Sequence, residues 1–284
     1  GPATNILSTA AALSNSCEIL LIAGEPLKDE QSAEYLLSQY TGFRVEKLTT
    51  LKRSVIPVMD IRSYCQIKKI IKEFRPDIVH THGAKPGLIG RIAAWRSAVP
   101  VVVHTFHGHV FHSYFNSFIS GTIIRMEKLL SKITTAIVAI NLQLQTELGH
   151  TYKIAGSEKI KLIKLGIETA KFQDTDGTKR NRFRKEFELY EDEIAIGIAG
   201  RLVPVKQHQL FVETAEKILN TGKKNIRFFI VGDGHEKISL QKMLTEKNIQ
   251  FSNSGTKLNK NCSFIFTSWR NDMDFVFAGL DIVM

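Results

Sequence analysis

The sequence is poor in the residues that build disulfide frameworks and metal sites. Its 284 residues include three cysteines, Cys17, Cys65 and Cys262, which lie far apart and form no CxxC pair. An odd number of scattered cysteines argues against structural disulfides and against a zinc site. We therefore expect a protein of the reducing cytoplasm that holds no metal ion.

Long apolar runs are also missing. No stretch approaches the roughly 18 to 20 apolar residues that a membrane-crossing helix needs, and the first residues lack the charged-then-apolar order of a secretory signal. The composition, 43% hydrophobic and 23% charged, allows a buried core, and the length is sufficient for two domains. These features predict a soluble two-domain protein.

The chain carries a formal net charge of +10, which suits nucleic acid, anionic lipid or phosphorylated substrates. The densest basic run, residues 179–185, is followed at once by an acidic run in residues 186–193. We expect these residues to form a solvated, charge-balanced helix face. Because the basic run lacks the interleaved aromatic residues of a single-strand channel, we expect no nucleic-acid partner.

Short runs rich in isoleucine and valine alternate with helix-like segments, which is the pattern of βα units with parallel sheets. The polar stretch 169–193 carries no strand signal, and we place the domain boundary at its start, giving domains 1–168 and 169–284. The predicted strands cover residues 18–23, 77–81, 101–106, 136–140, 161–165, 194–199, 227–231, 263–267 and 281–284.

The last predicted strand, residues 281–284, has no helix after it to cover its face. A doubly wound domain buries both faces of its sheet, so a bare final strand is unusual. We therefore expect the second domain to be incomplete at Met284.

One strand-end motif has the composition of a diphosphate site. The strand 194–199 leads into Gly200 and Arg201, and Lys206 follows five residues later, just before an amphipathic segment. Glycine lets the backbone approach a ligand, arginine offers a bidentate contact, and lysine adds a point charge near a helix N-terminus. The alternative is a turn with two solvated cations.

Histidines collect at another strand end. Four of the nine, His104, His107, His109 and His112, follow or end the strand 101–106, where open α/β sheets bind ligands. The cluster has no local cysteine or carboxylate, which argues against a metal. An active-site histidine and structural hydrogen-bonding histidines remain as alternatives.

Three further strand ends carry polar turns. The first holds His82 and Lys85 and is placed to line an acceptor pocket. The second is the tight turn at Gly232 and Asp233. The third is the pair Trp269 and Arg270, which is suited to a nucleotide base. Each also has a purely structural explanation as turn chemistry.

Taken in this order, the motifs resemble the family 4 retaining glycosyltransferases of group 1, especially bacterial enzymes of cell-surface and exopolysaccharide assembly. The resemblance covers nearly the whole chain. It implies an α/β fold of the GT-B type, with two Rossmann-like, doubly wound parallel-sheet domains facing a cleft. The similar segments are residues 1–3, 77–87, 105–109, 200–206, 231–234 and 269–273.

The resemblance also implies a reaction and a set of roles. A sugar would pass from a nucleotide diphosphate to a saccharide or lipid-linked acceptor, with its anomeric configuration retained, through an oxocarbenium-like transition state and without metal or other cofactor. It assigns Arg201, Lys206 and Gly1 to the donor diphosphate, His107 to catalysis, Gly232, Asp233, Trp269 and Arg270 to the nucleotide, and His82, Lys85 and His109 to the acceptor side.

The sequence departs from the family at its end. Family members carry a Glu-x7-Glu segment just past a strand like 281–284, and its acids contact the donor sugar and ribose. We therefore expect weak nucleotide binding from these 284 residues. A nucleotide-sugar epimerase of the same fold and a non-catalytic scaffold are the alternative functions.

An amphipathic segment, residues 115–132, bears on where the enzyme works. Its apolar and basic residues suit either peripheral contact with an anionic membrane or packing against the core with extended lysine and arginine side chains. The resemblance therefore implies a cytoplasmic enzyme that can lie at the inner face of the plasma membrane.

Overall fold

The computed structural model describes residues 2–25, 34–52, 54–108, 117–222, 225–255 and 262–284. The described residues form two compact units, the first ending at Ile167 and the second beginning at Glu168. No helix within these described ranges is long and apolar enough to cross a bilayer.

The first unit alternates helices with parallel strands. Strands β1 and β2 form one pair, and β3, β4, β5 and β6 form a four-stranded parallel sheet in chain order. Its elements are α1 (Pro2–Leu13), β1 (Leu20–Gly24), α2 (Glu34–Leu37), β2 (Arg44–Leu48), α3 (Pro57–Phe74), β3 (Ile78–His82), α4 (Ala84–Arg96), β4 (Val101–Phe106), α5 (Ser117–Lys132), β5 (Ala136–Ala139), α6 (Leu142–Thr146), a π-helical turn (Glu147–Thr151) and β6 (Ile160–Leu162).

The second unit is a five-stranded parallel sheet in the order β11, β7, β8, β10, β9. Its elements are a 3₁₀ turn (Thr169–Phe172), α7 (Thr178–Glu186), β7 (Ile194–Ala199), a 3₁₀ turn (Pro204–Lys206), α8 (His208–Leu219), β8 (Ile226–Val231), α9 (Lys237–Glu246), β9 (Phe251–Asn253), β10 (Phe264–Ser268), α10 (Met273–Gly279) and β11 (Ile282–Val283).

Strand β8 is buried along its whole length and carries the core of the second unit. Phe228 and Ile230 join a cluster with α8 and α9, while Phe229 and Val231 join a cluster with α7 and α10. Alternate side chains of a strand point to opposite faces, so helices cover both sides of this sheet. Because both faces of the sheet are covered, the loops at its carboxyl edge are the part of the sheet that a ligand can reach.

All nine predicted strands are present, but the sequence pattern missed two. Among the described strands, β2, with the sequence RVEKL, has β1 as its one partner, and the three-residue β9 has β10 as its one partner. A strand with one partner and one protected face needs no continuous run of apolar residues. Neither of these strands contains such a run.

The expectation of a solvated basic face at 179–185 is wrong for Lys179 and Arg184, whose side chains are 22% and 10% exposed, while Arg180, at 38%, stays partly solvated in an ion pair. Lys179 pairs with Asp274 at 3.0 Å, and Arg180 and Arg184 both pair with Asp281, at 2.6 and 3.3 Å. The Arg184 residue is only 9% exposed. These pairs fasten α7 to α10 and to the residue that precedes β11.

A buried ion pair joins α4 to α5 in the first unit. Arg91 is fully buried and donates from Nη2 to both carboxylate oxygens of Glu127, at 3.0 and 2.8 Å, and from Nε to the carbonyl of Gly87 at 2.8 Å. A Cβ on Gly87 would lie 2.4 Å from the ring of His104, so the helix packs directly against β4 there. Losing one partner of such a pair typically costs about 3 to 5 kcal/mol, because the other charge stays buried.

Candidate active site

Three loops meet at the carboxyl edge of the second sheet, and their backbones bond to one another. They follow β7, β8 and β10, which are neighbours in the sheet. The hydrogen bonds run from Gly200 N to Val231 O at 2.9 Å, from Leu202 N to Asp233 O at 3.0 Å, and from Gly232 N to Ser268 O at 3.0 Å. Backbone hydrogen bonds therefore hold the three loops together at this edge.

The close approach of the first two loops requires a glycine. A Cβ on Gly232 would lie 2.1 Å from the carbonyl oxygen of Gly200, and Gly232 has a φ of +136°. Both the space and the backbone angle exclude other residues. The predicted tight turn at Gly232 is thus the point where the two loops touch.

The carboxylate of Asp233 joins the loop after β8 to the end of β10. Its Oδ2 accepts from Ser268 Oγ at 2.6 Å and from Lys237 Nζ at 2.9 Å, and its Oδ1 accepts from the Gly234 N–H at 2.9 Å. Burial alone raises the pKa of Asp233, but these three hydrogen bonds together hold it below the ordinary value. The geometry makes Asp233 a support for the loops.

Arg201 and Lys206, two of the three residues predicted to bind the diphosphate, lie on this edge. The backbone nitrogen of Arg201 is 3.7 Å from the position of a Cβ on Gly232, and the side-chain carbons of Lys206 come within 3.8 Å of a Cβ position on Gly200. Lys206 is exposed in the turn Pro204–Lys206, and Arg201 is half-buried. The structure thus brings Arg201, Lys206, Gly232 and Asp233 together.

Trp269 and Arg270 follow β10 on the same edge, and Trp269 is half-buried. The guanidinium of Arg270 is bound by two carboxylates: Nε donates to Asp272 at 2.8 Å, and Nη2 donates to Glu186 at 2.9 Å. Hydrogen bonding to Glu186 is the main reason that the pKa of Arg270 is raised. The predicted contact of Arg270 with a nucleotide therefore competes with bonds that tie its loop to α7.

In the first unit, His82 and His107 lie at the ends of the neighbouring strands β3 and β4. The distance from His82 Nδ1 to His107 Nε2 is 3.0 Å, and the ring centroids are 5.2 Å apart. The ring of His80 lies 4.3 Å behind that of His82, and its Nε2 is 2.7 Å from Thr105 Oγ1. The other ring nitrogen of His107, Nδ1, is buried and has no hydrogen-bond partner within the described ranges.

Burial removes hydrating water from these histidine rings and so favours their neutral forms. Burial, followed by the charges of His80 and His107, lowers the pKa of His82 to about 3. Burial also lowers the pKa of His107, and burial followed by nearby Arg91 places that of His104 well below the ordinary value. An imidazole in this cluster therefore acts at pH 7 as a neutral hydrogen-bonding group.

The remaining predicted residues are not gathered with this pair. Lys85 is the second residue of α4, and its Nζ pairs with Asp60 of α3 and donates to the carbonyl of Ser54, before α3, at 2.6 Å. His109 and Gly1 lie outside the described residues. Within the described part of the chain, no group of three histidine, cysteine or acidic side chains is placed to hold a metal.

Sequence reasoning missed three residues that hold the site together. Ser268 and Lys237 fix Asp233, and Glu186 fixes Arg270. The four-residue spacing of Asp233 and Lys237, with the acid in the loop before α9 and the base at its first residue, is a local signal for an ion pair. No local pattern connects Glu186 with Arg270, which is 84 residues away.

The chain matches two family models. Residues 1–171 match Glycosyltransferase Family 4, and residues 179–284 match Glycosyl transferases group 1.

Two bacterial transferases are among its curated relatives. The UDP-Gal:alpha-D-GlcNAc-diphosphoundecaprenol alpha-1,3-galactosyltransferase of Escherichia coli is 30% identical over 82% of this chain and 57% of its own length. The capsular polysaccharide biosynthesis glycosyltransferase CapM of Staphylococcus aureus is 25% identical over 85% of this chain and 62% of its own length. The chain thus spans about three fifths of the length of these relatives.

A solved structure shares the fold. Anabaena Alr3699/HepE, crystallised with UDP and glucose, aligns with all of this chain and 70% of its own, with a TM-score of 0.73 and 17% identity. Likeness at this identity shows the fold alone. It confirms the predicted α/β GT-B class with Rossmann-like domains.

The contact between the glycine loops predicts the effect of adding one methyl group. Gly232→Ala should destabilise the second unit by about 2 to 4 kcal/mol, because the methyl group collides with the Gly200 carbonyl and the φ is unfavourable. Gly177→Ala is the matched control, since Gly177 also has a positive φ, of +73°, but its nearest atom is 3.8 Å away. We expect about 1 kcal/mol for the control, measured by urea unfolding, and equal losses in the two variants would contradict the packing described.

Proposed function

This chain belongs to glycosyltransferase family 4, and from that premise we propose that it transfers a sugar from a nucleotide diphosphate to a saccharide or lipid-linked acceptor with retention of configuration. The observation that carries the proposal is the placement of Arg201 and Lys206 beside the glycine backbone at the carboxyl edge of the second sheet. Parallel α/β sheets bind ligands at this edge.

The proposed donor site works by charge and backbone contact. A diphosphate lying on the loop edge would meet backbone that carries no side chain at Gly200 and Gly232, with the cations of Arg201 and Lys206 beside it. As the bond from the sugar to the diphosphate breaks, negative charge grows on the departing phosphate. Cations fixed in advance stabilise that charge more than they stabilise the ground state, and we propose that they do so without a metal.

We propose that His107 meets the sugar or the phosphate. Burial lowers its pKa and favours the neutral ring, and its buried Nδ1 has no hydrogen-bond partner among the residues that the structure describes. A buried nitrogen without a hydrogen bond costs about 1 to 3 kcal/mol, which a substrate oxygen would relieve. In this role the His107 ring would orient the donor by a hydrogen bond and would not act as a proton-transfer group.

The relatives support a choice of donor and acceptor. The E. coli relative is named for UDP-Gal and a diphosphoundecaprenol-linked sugar, and the HepE crystal holds UDP. We therefore propose a UDP-sugar donor and a lipid-diphosphate-linked acceptor. The epimerase and scaffold alternatives draw no support from the two family models, which are both of transferases.

One surface favours contact with an anionic membrane. On α5, the exposed stripe combines Phe118 and Leu129, 83% and 64% exposed, with Arg125 and Lys132. The opposite side of the helix packs on the core through residues such as Leu130. The buried side fits the core-packing interpretation of this segment, and we propose that the exposed stripe rests on anionic lipid near the acceptor.

The donor site can be tested by thermal shift with UDP-, GDP- and ADP-sugars. We expect stabilisation by UDP-sugars, amounting to about 2.7 kcal/mol when the ligand is at 100 times its Kd, and loss of most of it in Arg201→Ala and Lys206→Ala. Lys242→Ala is the control, because that lysine has a 76% exposed side chain on α9, where it pairs with Glu246. Stabilisation that survives in both Arg201 and Lys206 variants would refute the site.

The membrane proposal can be tested by vesicle flotation with and without phosphatidylglycerol. Replacing Phe118 and Leu129 together by serine should weaken binding to anionic vesicles about tenfold, since less apolar surface is then buried in the lipid. Ile238→Ser on α9 is the control, because it removes a 79% exposed apolar side chain from the other unit. Absence of lipid-dependent binding by the unaltered chain would remove the proposal.

A further inference from the structure

We infer that His82 is a positioning residue: its Nδ1 holds His107 Nε2, so that His107 presents Nδ1 to a substrate oxygen. The sequence had placed His82 among acceptor contacts, whereas the hydrogen bond of 3.0 Å gives it a role behind His107. The inference rests on the proposed function only in taking His107 as the residue that meets substrate.

The strand register explains why the two rings meet. Strands β3 and β4 are parallel, and His82 is the register partner of Thr105. His107 follows two residues beyond Thr105, at the point where β4 has ended, so its ring can turn back toward the end of β3. The pair is therefore set by the sheet.

The ring of His82 also contacts a second histidine ring, that of His80. His80 lies two residues earlier on the same face of β3, and its ring is 4.3 Å from that of His82. Thr105 Oγ1 in turn holds His80 Nε2 at 2.7 Å. The three rings form a row that begins at a fixed hydroxyl and ends at the unpartnered Nδ1 of His107.

The hydrogen bond between the two rings constrains their protons. A bond between two imidazole nitrogens has one donor and one acceptor, so two neutral rings share a single proton along it. The proton position on His107 is thus coupled to that on His82, and the same bond fixes the ring angle. The form that His107 Nδ1 offers to the substrate, donor or acceptor, is therefore set together with the tautomer of His82.

The surroundings explain why this pair stays neutral. The titratable groups that act on it are His80 on β3, His104 on β4 and the chain's N-terminal amino group, whose charge also lowers the pKa of His107. Arg91 of α4 acts on His104 and is paired with Glu127 of α5. Among the contacts described for the two rings, there is no carboxylate that would stabilise an imidazolium. Introducing one should therefore change the protonation of His107.

Three substitutions separate positioning from direct contact. His82→Asn keeps an amide near the place of Nδ1 and can still hold His107, His82→Ala removes the bond, and His82→Asp replaces it with a charge. A carboxylate within about 4 Å typically raises the pKa of a cation by one to three units. His150→Asn, at an exposed histidine of the first unit, is the matched control.

The primary readout is the ring nitrogen spectrum of His107, followed by NMR against pH in the full chain without substrate. We expect one neutral tautomer at pH 7 in the unaltered protein and in His82→Asn and His150→Asn. We expect a mixture of tautomers in His82→Ala and a pKa raised by at least one unit in His82→Asp. An unchanged tautomer and pKa in both His82→Ala and His82→Asp would overturn the inference.

Transfer kinetics give a second readout. If neutral His107 is needed, raising its pKa moves the acid limb of kcat/KM to higher pH, so His82→Asp should lose activity first as the pH falls. The acceptor KM should not change in His82→Asn. A raised acceptor KM in all three variants with an unmoved pH profile would show direct acceptor contact and overturn the inference, whereas no transfer by the unaltered chain would count against the proposed function alone.

Discussion

The loops at the carboxyl edge of the second sheet lie backbone against backbone, and the rest of the proposed donor site depends on that closeness. Gly232 allows it, because a single methyl group there would sit 2.1 Å from the Gly200 carbonyl oxygen. Once the loops touch, Arg201 and Lys206 have fixed places along the edge. Asp233 and Ser268 then hold the third loop against the first two. The chemistry proposed for the edge is therefore a consequence of backbone packing.

The count of 38 lysines and arginines overstates how many cations are available to an anionic partner. Arg184 and Arg180 are paired with Asp281, Arg270 with Glu186 and Asp272, and Lys85 with Asp60. These cations serve packing, and each replaces part of its lost hydration with a carboxylate. Lys206 is different, because it is exposed beside a glycine backbone. Position therefore distinguishes a ligand-binding cation from a structural one.

Much of the fold could be predicted from the sequence, because a strand that is covered on both faces leaves a continuous apolar signal. Strand β8 is buried throughout and was evident, whereas β2 and β9 lie at sheet edges and carry polar residues. The grouping of Arg201, Lys206 and Gly232 could be predicted because parallel strands bring their carboxyl ends to one edge. The pairing of Arg270 with Glu186 could not, since it joins residues that are distant in sequence and share no pattern.

The most direct test of the account is a titration of UDP into the ¹⁵N-labelled chain, followed through its backbone amide signals. We expect the largest shifts at Gly200, Arg201 and Gly232, where the loops form the proposed phosphate surface. Shifts confined to the first unit, or no shift at millimolar UDP, would contradict the central claim that this edge binds the donor diphosphate.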